Sequence, residues 1–234
     1  TAQSLLAIIS SFYAIYHGPN GLTEIAKRIV QMRINLESCL ADLGFEIPDG
    51  IRFDSVDIYS EHAQKIHNEA LKNGYNFRIL PLGSTIENAT GFGISLDQLT
   101  NEKEIKDIVT FIANLLEKKE YLEHIKFDKG FHLESLDLRS SAWMQQDIFV
   151  NYQSETELMR YIFRLAEKDF SLVDGMMPLG SCTMKLNAAS ELNPVSWDIL
   201  SSIHPFSPPD QTKGYLKIIS DLEKWISDIV GLKS

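Results

Sequence analysis

Cysteine is scarce: the 234 residues hold two, Cys39 and Cys182. That is too few for a disulfide framework or a metal quartet, and a reducing compartment suits the chain better than an oxidising one. Lys and Arg number 22 against 32 Asp and Glu, a net charge of −10. The deficit argues against nucleic acid or an anionic membrane as partner, since each needs a basic face. Long apolar runs are missing too. The nearest approach, Leu5 to Ile9 extended by Phe12 to Tyr16, is broken by Ser10 and Ser11 and is too short to span a bilayer. There is no internal repeat, low-complexity tract or leader pattern, and Thr1 in place of an initiator Met predicts a chain that begins inside a longer one. What remains is an ordinary globular composition, 44% hydrophobic, enough for one large core or two modest ones.

Taken in order, Leu5, Ile9, Phe12 and Tyr16 follow the helical repeat with little polar face, which predicts a buried helix. Gly18-Pro19 should stop it, and Leu22, Ile25, Ile29, Met32, Leu36 and Leu40 form the stripe of a second helix ended at Gly44. Strands are expected around Phe53 to Ile58, Tyr75 to Ile79 and Phe92 to Leu96, with a short helix at Ala63 to Ala70 between the first two. Asn101 followed by Glu104 is a capping box, opening a helix whose stripe runs from Ile105 to Leu115. The order ααβαββα predicts a small α/β (α+β) domain over residues 1–118. Periodicity then fades, and residues 119–153 read as a linker packed on the surface, because Phe127, Phe131 and Trp143 are too apolar for a free tether. A second capping box, Ser154 with Glu157, opens a third region, 154–234. Its last helix should point Leu216, Ile219, Leu222, Ile226 and Ile229 inward and stop at Gly231.

The densest chemistry lies at Pro178-Leu179-Gly180-Ser181-Cys182-Thr183-Met184-Lys185-Leu186-Asn187. Pro178 fits poorly inside regular structure and Gly180 tolerates positive φ, so backbone N–H groups could turn outward beside Ser181 and Thr183 as an anion cradle. Lys185 adds a cation, Asn187 donates and accepts, and the pKa of Cys182 would fall beside that cation. The plain alternative is a solvated turn holding a chance cluster of small polar residues.

Met177 to Asn187, with Ser202-Ile203-His204-Pro205-Phe206 and Asp210-Gln211-Thr212-Lys213-Gly214-Tyr215, resembles the P-protein family of the glycine cleavage system, the pyridoxal-phosphate glycine decarboxylases. Thr1-Ala2-Gln3-Ser4-Leu5-Leu6, Tyr13-Ala14-Ile15-Tyr16-His17-Gly18, Asn76-Phe77-Arg78, Gly93-Ile94-Ser95-Leu96-Asp97 and Tyr152-Gln153-Ser154-Glu155-Thr156-Glu157 extend the likeness in the same order. It covers nearly the whole chain, least across Lys118 to Arg139. The resemblance implies an aminotransferase-like, fold type I architecture in two halves. This chain would supply the small domain of the amino-half, a linker and the opening of the carboxyl-half. It implies pyridoxal 5'-phosphate in the full-length enzyme, and glycine as substrate. Its partners would be the lipoylated H-protein, the remainder of the same polypeptide and a second copy of the parent. The location would be cytoplasmic if bacterial, or the mitochondrial matrix if eukaryotic.

In that family the aldimine lysine lies beyond the equivalent of Ser234, so the chain alone is expected to be inactive, with no catalytic residue of its own. Lys185 is a poor substitute, because nothing around it would desolvate it. The residue types would let Gly180, Ser181, Cys182, Thr183, Lys185 and Asn187, with His204 nearby, hold the substrate side of that reaction, where hydrogen bonds and charge would orient a departing carboxylate. His204 is equally suited to fixing its proline-rich turn. The alternatives are a non-catalytic interaction module of an acidic complex and, last, a thiol hydrolase using Cys182 and His204, for which no orienting acid is identifiable.

Overall fold

The structure is a computed structural model describing residues 3–123, 125–127, 139–170, 174–175 and 188–232. It divides into two compact units, Thr1–Leu165 and Ala166–Ser234.

The first unit is a helical layer on a small sheet. Helix α1 (Gln3–Asp42) is two helices joined end to end across Gly18, whose φ of 57° and ψ of −174° leave the helical region next to Pro19. That break is where the sequence predicts a stop. The strands β1 (Ser55–Tyr59), β2 (Arg78–Leu80) and β3 (Gly91–Ser95) make an antiparallel sheet in the order β1-β3-β2. In its register Val56 pairs with Ile94 and Ile58 with Phe92, so the alternate residues of two strands share the buried face. Helices α2 (Ala63–Lys72) and α3 (Glu102–Leu115) present Ile66, Ala70, Ile105, Val109 and Ile112 to the same core as Leu36, Leu40 and Leu43 of α1. Phe92 is its largest fully buried side chain and meets Phe45 edge-on, with ring centroids 5.7 Å apart. The mixed helix-and-sheet class is therefore as expected, though β2 begins later than the sequence suggests. Tyr75 and Phe77 precede it as a stacked pair whose rings pack on Phe111, and the Tyr75 N–H turns back to the Ala70 carbonyl at 2.9 Å instead of joining the sheet.

Past α3, a 3₁₀ turn (Lys119–Glu123) folds back on the domain. Lys118 donates to the Leu43 carbonyl, Tyr121 donates to Asp42 at 3.1 Å, and Tyr121, Leu122, Ile125 and Phe127 pack against the core. A one-turn helix, α4 (Ile148–Asn151), and α5 (Glu155–Ala166) follow. Ser154 accepts from the Glu157 N–H at 3.3 Å, half of the expected capping box; the Glu157 carboxylate pairs with Arg160 instead.

The second unit is helical among the described residues: α6 (Ala189–Leu192), α7 (Asp198–Ser201) and α8 (Lys213–Val230), with short 3₁₀ turns between them. Gly231, at φ 71°, ends α8 as expected. Tyr215 donates to the Leu200 carbonyl at 2.5 Å and ties α8 to α7.

Two burial expectations fail. Leu5, Leu6, Ile8 and Ile9 of α1 are exposed, Leu6 by 65%, and so are Leu216, Ile219, Leu222, Ile226 and Ile229 of α8, the last by 82%. Periodicity identifies an apolar face but not what covers it, and only the stretch of α1 from Ile15 onward has residues in the core. Among the described residues no helix is long and apolar enough to cross a membrane.

Candidate functional site

Of the seven residues proposed from sequence for the substrate side, Gly180, Ser181, Cys182, Thr183, Lys185 and Asn187 lie outside the described residues. The seventh, His204, is exposed in the second unit and accepts the Phe206 N–H on Nδ1 at 3.1 Å. Its own carbonyl accepts from the Ser207 N–H at 3.0 Å, and its ring leans on Phe206 with centroids 5.7 Å apart. These contacts are those of a residue that shapes a proline-rich turn. They also fix its chemistry, because an Nδ1 acceptor in a neutral ring puts the proton on Nε2, which can then only donate.

Elsewhere the polar groups that the fold gathers serve structure. Glu37 on α1 bridges two arginines, accepting from Arg33 at 2.5 Å and from Arg52 at 2.8 Å, and Arg52 also reaches the Pro48 carbonyl. Arg33 is buried, so the carboxylate is what makes its charge tolerable there. The Arg33–Glu37 half is readable as an i,i+4 pair. Arg52, fifteen residues on, gives no sequence signal. On the outer face of the sheet, Arg78 pairs with Asp57 and donates to Ser95 at 3.0 Å, lying over Gly93, where a Cβ would stand 2.7 Å from its Nη2. Two stretches that carry the family likeness, 76–78 and 93–97, thereby meet across strands. Buried His67 points Nε2 at the Gly91 carbonyl, 3.0 Å away, tying α2 to β3.

Cys39 is free and buried, and burial pushes its thiol pKa up against the opposing effect of its hydrogen-bonding neighbour Tyr121. It is a packed side chain and not a nucleophile. Among the described residues, no three His, Cys, Asp or Glu side chains could hold a metal ion. Nor does a described lysine sit in a desolvated pocket of the sort an imine-forming lysine needs. Lys72, Lys103 and Lys217 are exposed and paired with Glu69, Asp107 and Asp221, and Lys118 caps the end of α1.

Residues 1–112 match the family described as Glycine cleavage system P-protein. Over 233 residues, 100% of this chain, the sequence is 49% identical to a "Glycine dehydrogenase (decarboxylating)" of Prochlorococcus marinus (strain NATL1A), of which it covers 24%. It is 41% identical over 235 residues to the protein of that name from a Nostoc species, covering 99% of this chain and 23% of the relative. The chain thus spans about a quarter of the length of these curated relatives.

Proposed function

We propose that the chain is a segment of a glycine dehydrogenase (decarboxylating), a reading that starts from the match of residues 1–112 to the family described as Glycine cleavage system P-protein. The full enzyme would take glycine, release carbon dioxide and pass the aminomethyl group to the lipoyl arm of an H-protein. The observation that carries this reading is 49% identity sustained over 100% of the chain, well past the residues that the family model matches. These relatives are bacterial, which favours the cytoplasmic over the mitochondrial location.

Pyridoxal 5'-phosphate is the cofactor that the reading requires, and it supplies the electron sink for decarboxylation. The described residues do not fit it, since they offer no desolvated lysine for its aldehyde. The cofactor is assigned to the remainder of the polypeptide, where the family resemblance puts the aldimine lysine, and no catalytic residue is assigned among the described residues. The part proposed for this chain is on the substrate side. Gly180, Ser181, Cys182 and Thr183 would aim backbone N–H groups, hydroxyls and a thiol at the glycine carboxylate, Lys185 and Asn187 would add charge and a hydrogen bond, and His204 would hold the neighbouring turn. The division into a domain over 1–118, a linker over 119–153 and a carboxyl-half beginning at 154 belongs to the same proposal, as do the aminotransferase-like fold type I architecture and the homodimeric parent.

The test is glycine-dependent carboxyl exchange by the full-length polypeptide with lipoylated H-protein. Thr183→Ala should lower kcat/KM for glycine about ten- to hundredfold, the worth of a hydrogen bond to a charged group at about 1.5–3 kcal/mol, with cofactor occupancy unchanged. Kinetics near those of the wild type would remove Thr183 from the site. The rival reading, a non-catalytic interaction module, draws on the exposed apolar faces of α1 and α8. It requires the full-length polypeptide to show no glycine-dependent exchange at all.

A further inference from the structure

The C-terminal turns of α2 and α3 border one open groove of about 500 Å³ on the first unit, with Glu69 and Asn73 from one helix end and Asn114 and Leu115 from the other. Its apolar surface is aromatic: Tyr75 and Phe111, both half-buried, have ring centroids 5.6 Å apart. Two of its lining residues, Glu69 and Asp107, are carboxylates and none is a cation. A helix ends in free carbonyls and a partial negative charge, which a basic side chain offsets. The last turn of α3 holds no basic residue, and Glu69 adds a carboxylate to the last turn of α2, countered there by Lys72. Lys65 of α2 reaches across to the α3 end and donates to the Leu115 carbonyl at 3.1 Å, so this place already draws one cation. Lys72 and Lys103 pair with Glu69 and Asp107 at 2.6 Å, each through one carboxylate oxygen. Their side chains are 68% and 82% exposed and neither lines the groove, and surface pairs of that kind hold weakly. The second oxygen of each carboxylate has no partner among the described residues.

We propose that this groove is a docking site for an arginine side chain on a basic segment of a partner protein. The guanidinium lies on the rings of Tyr75 and Phe111 while its N–H groups reach the carboxylates of Glu69 and Asp107. Arginine suits the groove better than lysine, because a guanidinium is flat and weakly hydrated whereas an ammonium is a strongly hydrated point charge. Charge complementarity names the partner's chemistry: two helix C-termini and two carboxylates converge on an aromatic surface, and the net charge of −10 steers a basic segment toward the chain. The inference is independent of the proposed activity, in which none of these residues has a part.

The experiment is saturation-transfer difference NMR on the full-length polypeptide that carries this segment, with aromatic protein protons irradiated. The probe is an acetylated, amidated pentapeptide holding a single arginine between paired glycines, and its control is the same peptide with citrulline, which keeps the shape and loses the charge. Saturation should reach the arginine methylenes and should be absent from the citrulline peptide. In the double variant Glu69→Gln, Asp107→Asn, which preserves both side-chain shapes, the Kd of the arginine peptide should rise about tenfold or more. Glu61→Gln, which removes an exposed carboxylate ahead of the other end of α2, should leave it unchanged. Equal affinity in the double variant, or an equal response from the citrulline peptide, overturns the site. A rise of the same size in Glu61→Gln overturns it too, since net charge and not the groove would then hold the peptide. No saturation in the wild type overturns the docking of a separate partner, whether the groove takes no cation or another part of the polypeptide fills it. Probe binding that fades as protein concentration is raised gives the groove to a second copy and likewise overturns the proposal.

Discussion

Cys39, Tyr121 and Asp42 show how one buried residue couples a returning segment to the core. Burial raises the Cys39 thiol pKa, the Tyr121 hydrogen bond lowers it and Asp42 raises it. Tyr121 is pushed well above the ordinary tyrosine value, first by desolvation and then by its hydrogen bond to Cys39. Both groups are neutral acids that ionise less readily when folded. Their contribution to stability is therefore complete below the unfolded pKa values, about 8.5 for Cys and about 10 for Tyr, and is lost as pH climbs through that range toward the folded values. Unfolding midpoints in urea should accordingly fall as pH is raised from 8 to 11, and the fall should be shallower in Cys39→Ala, whatever that variant costs in packing. A slope unchanged by the substitution would show that other groups set the alkaline limit. None of this was legible in the sequence. Cys39 read there only as one more residue inside a helix, and no local signal joins it to Tyr121, 82 positions on.

Helices were legible where a local rule governs them. Asn101 and Glu104 form the full reciprocal box that their spacing predicts: Asn101 accepts the Glu104 N–H at 3.1 Å, and Glu104 accepts the Asn101 N–H at 3.0 Å. The same spacing at Ser154 and Glu157 gives one bond of 3.3 Å, since Arg160, one turn on, competes for the carboxylate. The two starts should differ in cost. Asn101→Ala should lower stability by about 1 kcal/mol, near the middle of the range for a lost cap, and Ser154→Ala by less. Chemical denaturation of both variants is the measurement, and an equal or reversed order would mean that the Glu104 side chain adds nothing. Where two distant elements decide the outcome, the sequence was silent. The break at Gly18 is plain from Gly-Pro, but the close approach of Phe149 and Gln153 to it is not, because a contact between segments so far apart in sequence leaves no periodic trace. Of the seven proposed site residues only His204 is among those described, and there it shapes its turn.

The two units differ in how much each can hold together by itself. The first has a continuous core in which Leu36, Val56, Ile58, Ile66, Phe92, Val109 and Ile112 are fully buried. Each such side chain contributes roughly 1.5–3 kcal/mol when removed from water. The second has no core residue among those described: Leu192, Trp197, Ile199, Phe206, Leu216, Ile219, Trp225 and Ile226 are all exposed by half or more. An amphipathic helix with so exposed an apolar face is one whose apolar face is covered in its working context. It follows that α8 should be the least protected helix of the isolated chain and a well-protected one in the full-length polypeptide. Amide exchange on both reads this directly: over 213–230 the isolated chain should exchange near the unprotected rate while α2 and α3 stay protected, and the full-length polypeptide should slow α8 by orders of magnitude. The isolated chain should also show no glycine decarboxylation with added cofactor, because its described lysines are exposed, ion-paired or capping a helix and none can form the imine. Strong protection of α8 in isolation would mean that its apolar face finds a partner within this chain or in a second copy. A concentration series separates those two, since only self-association makes the protection depend on protein concentration.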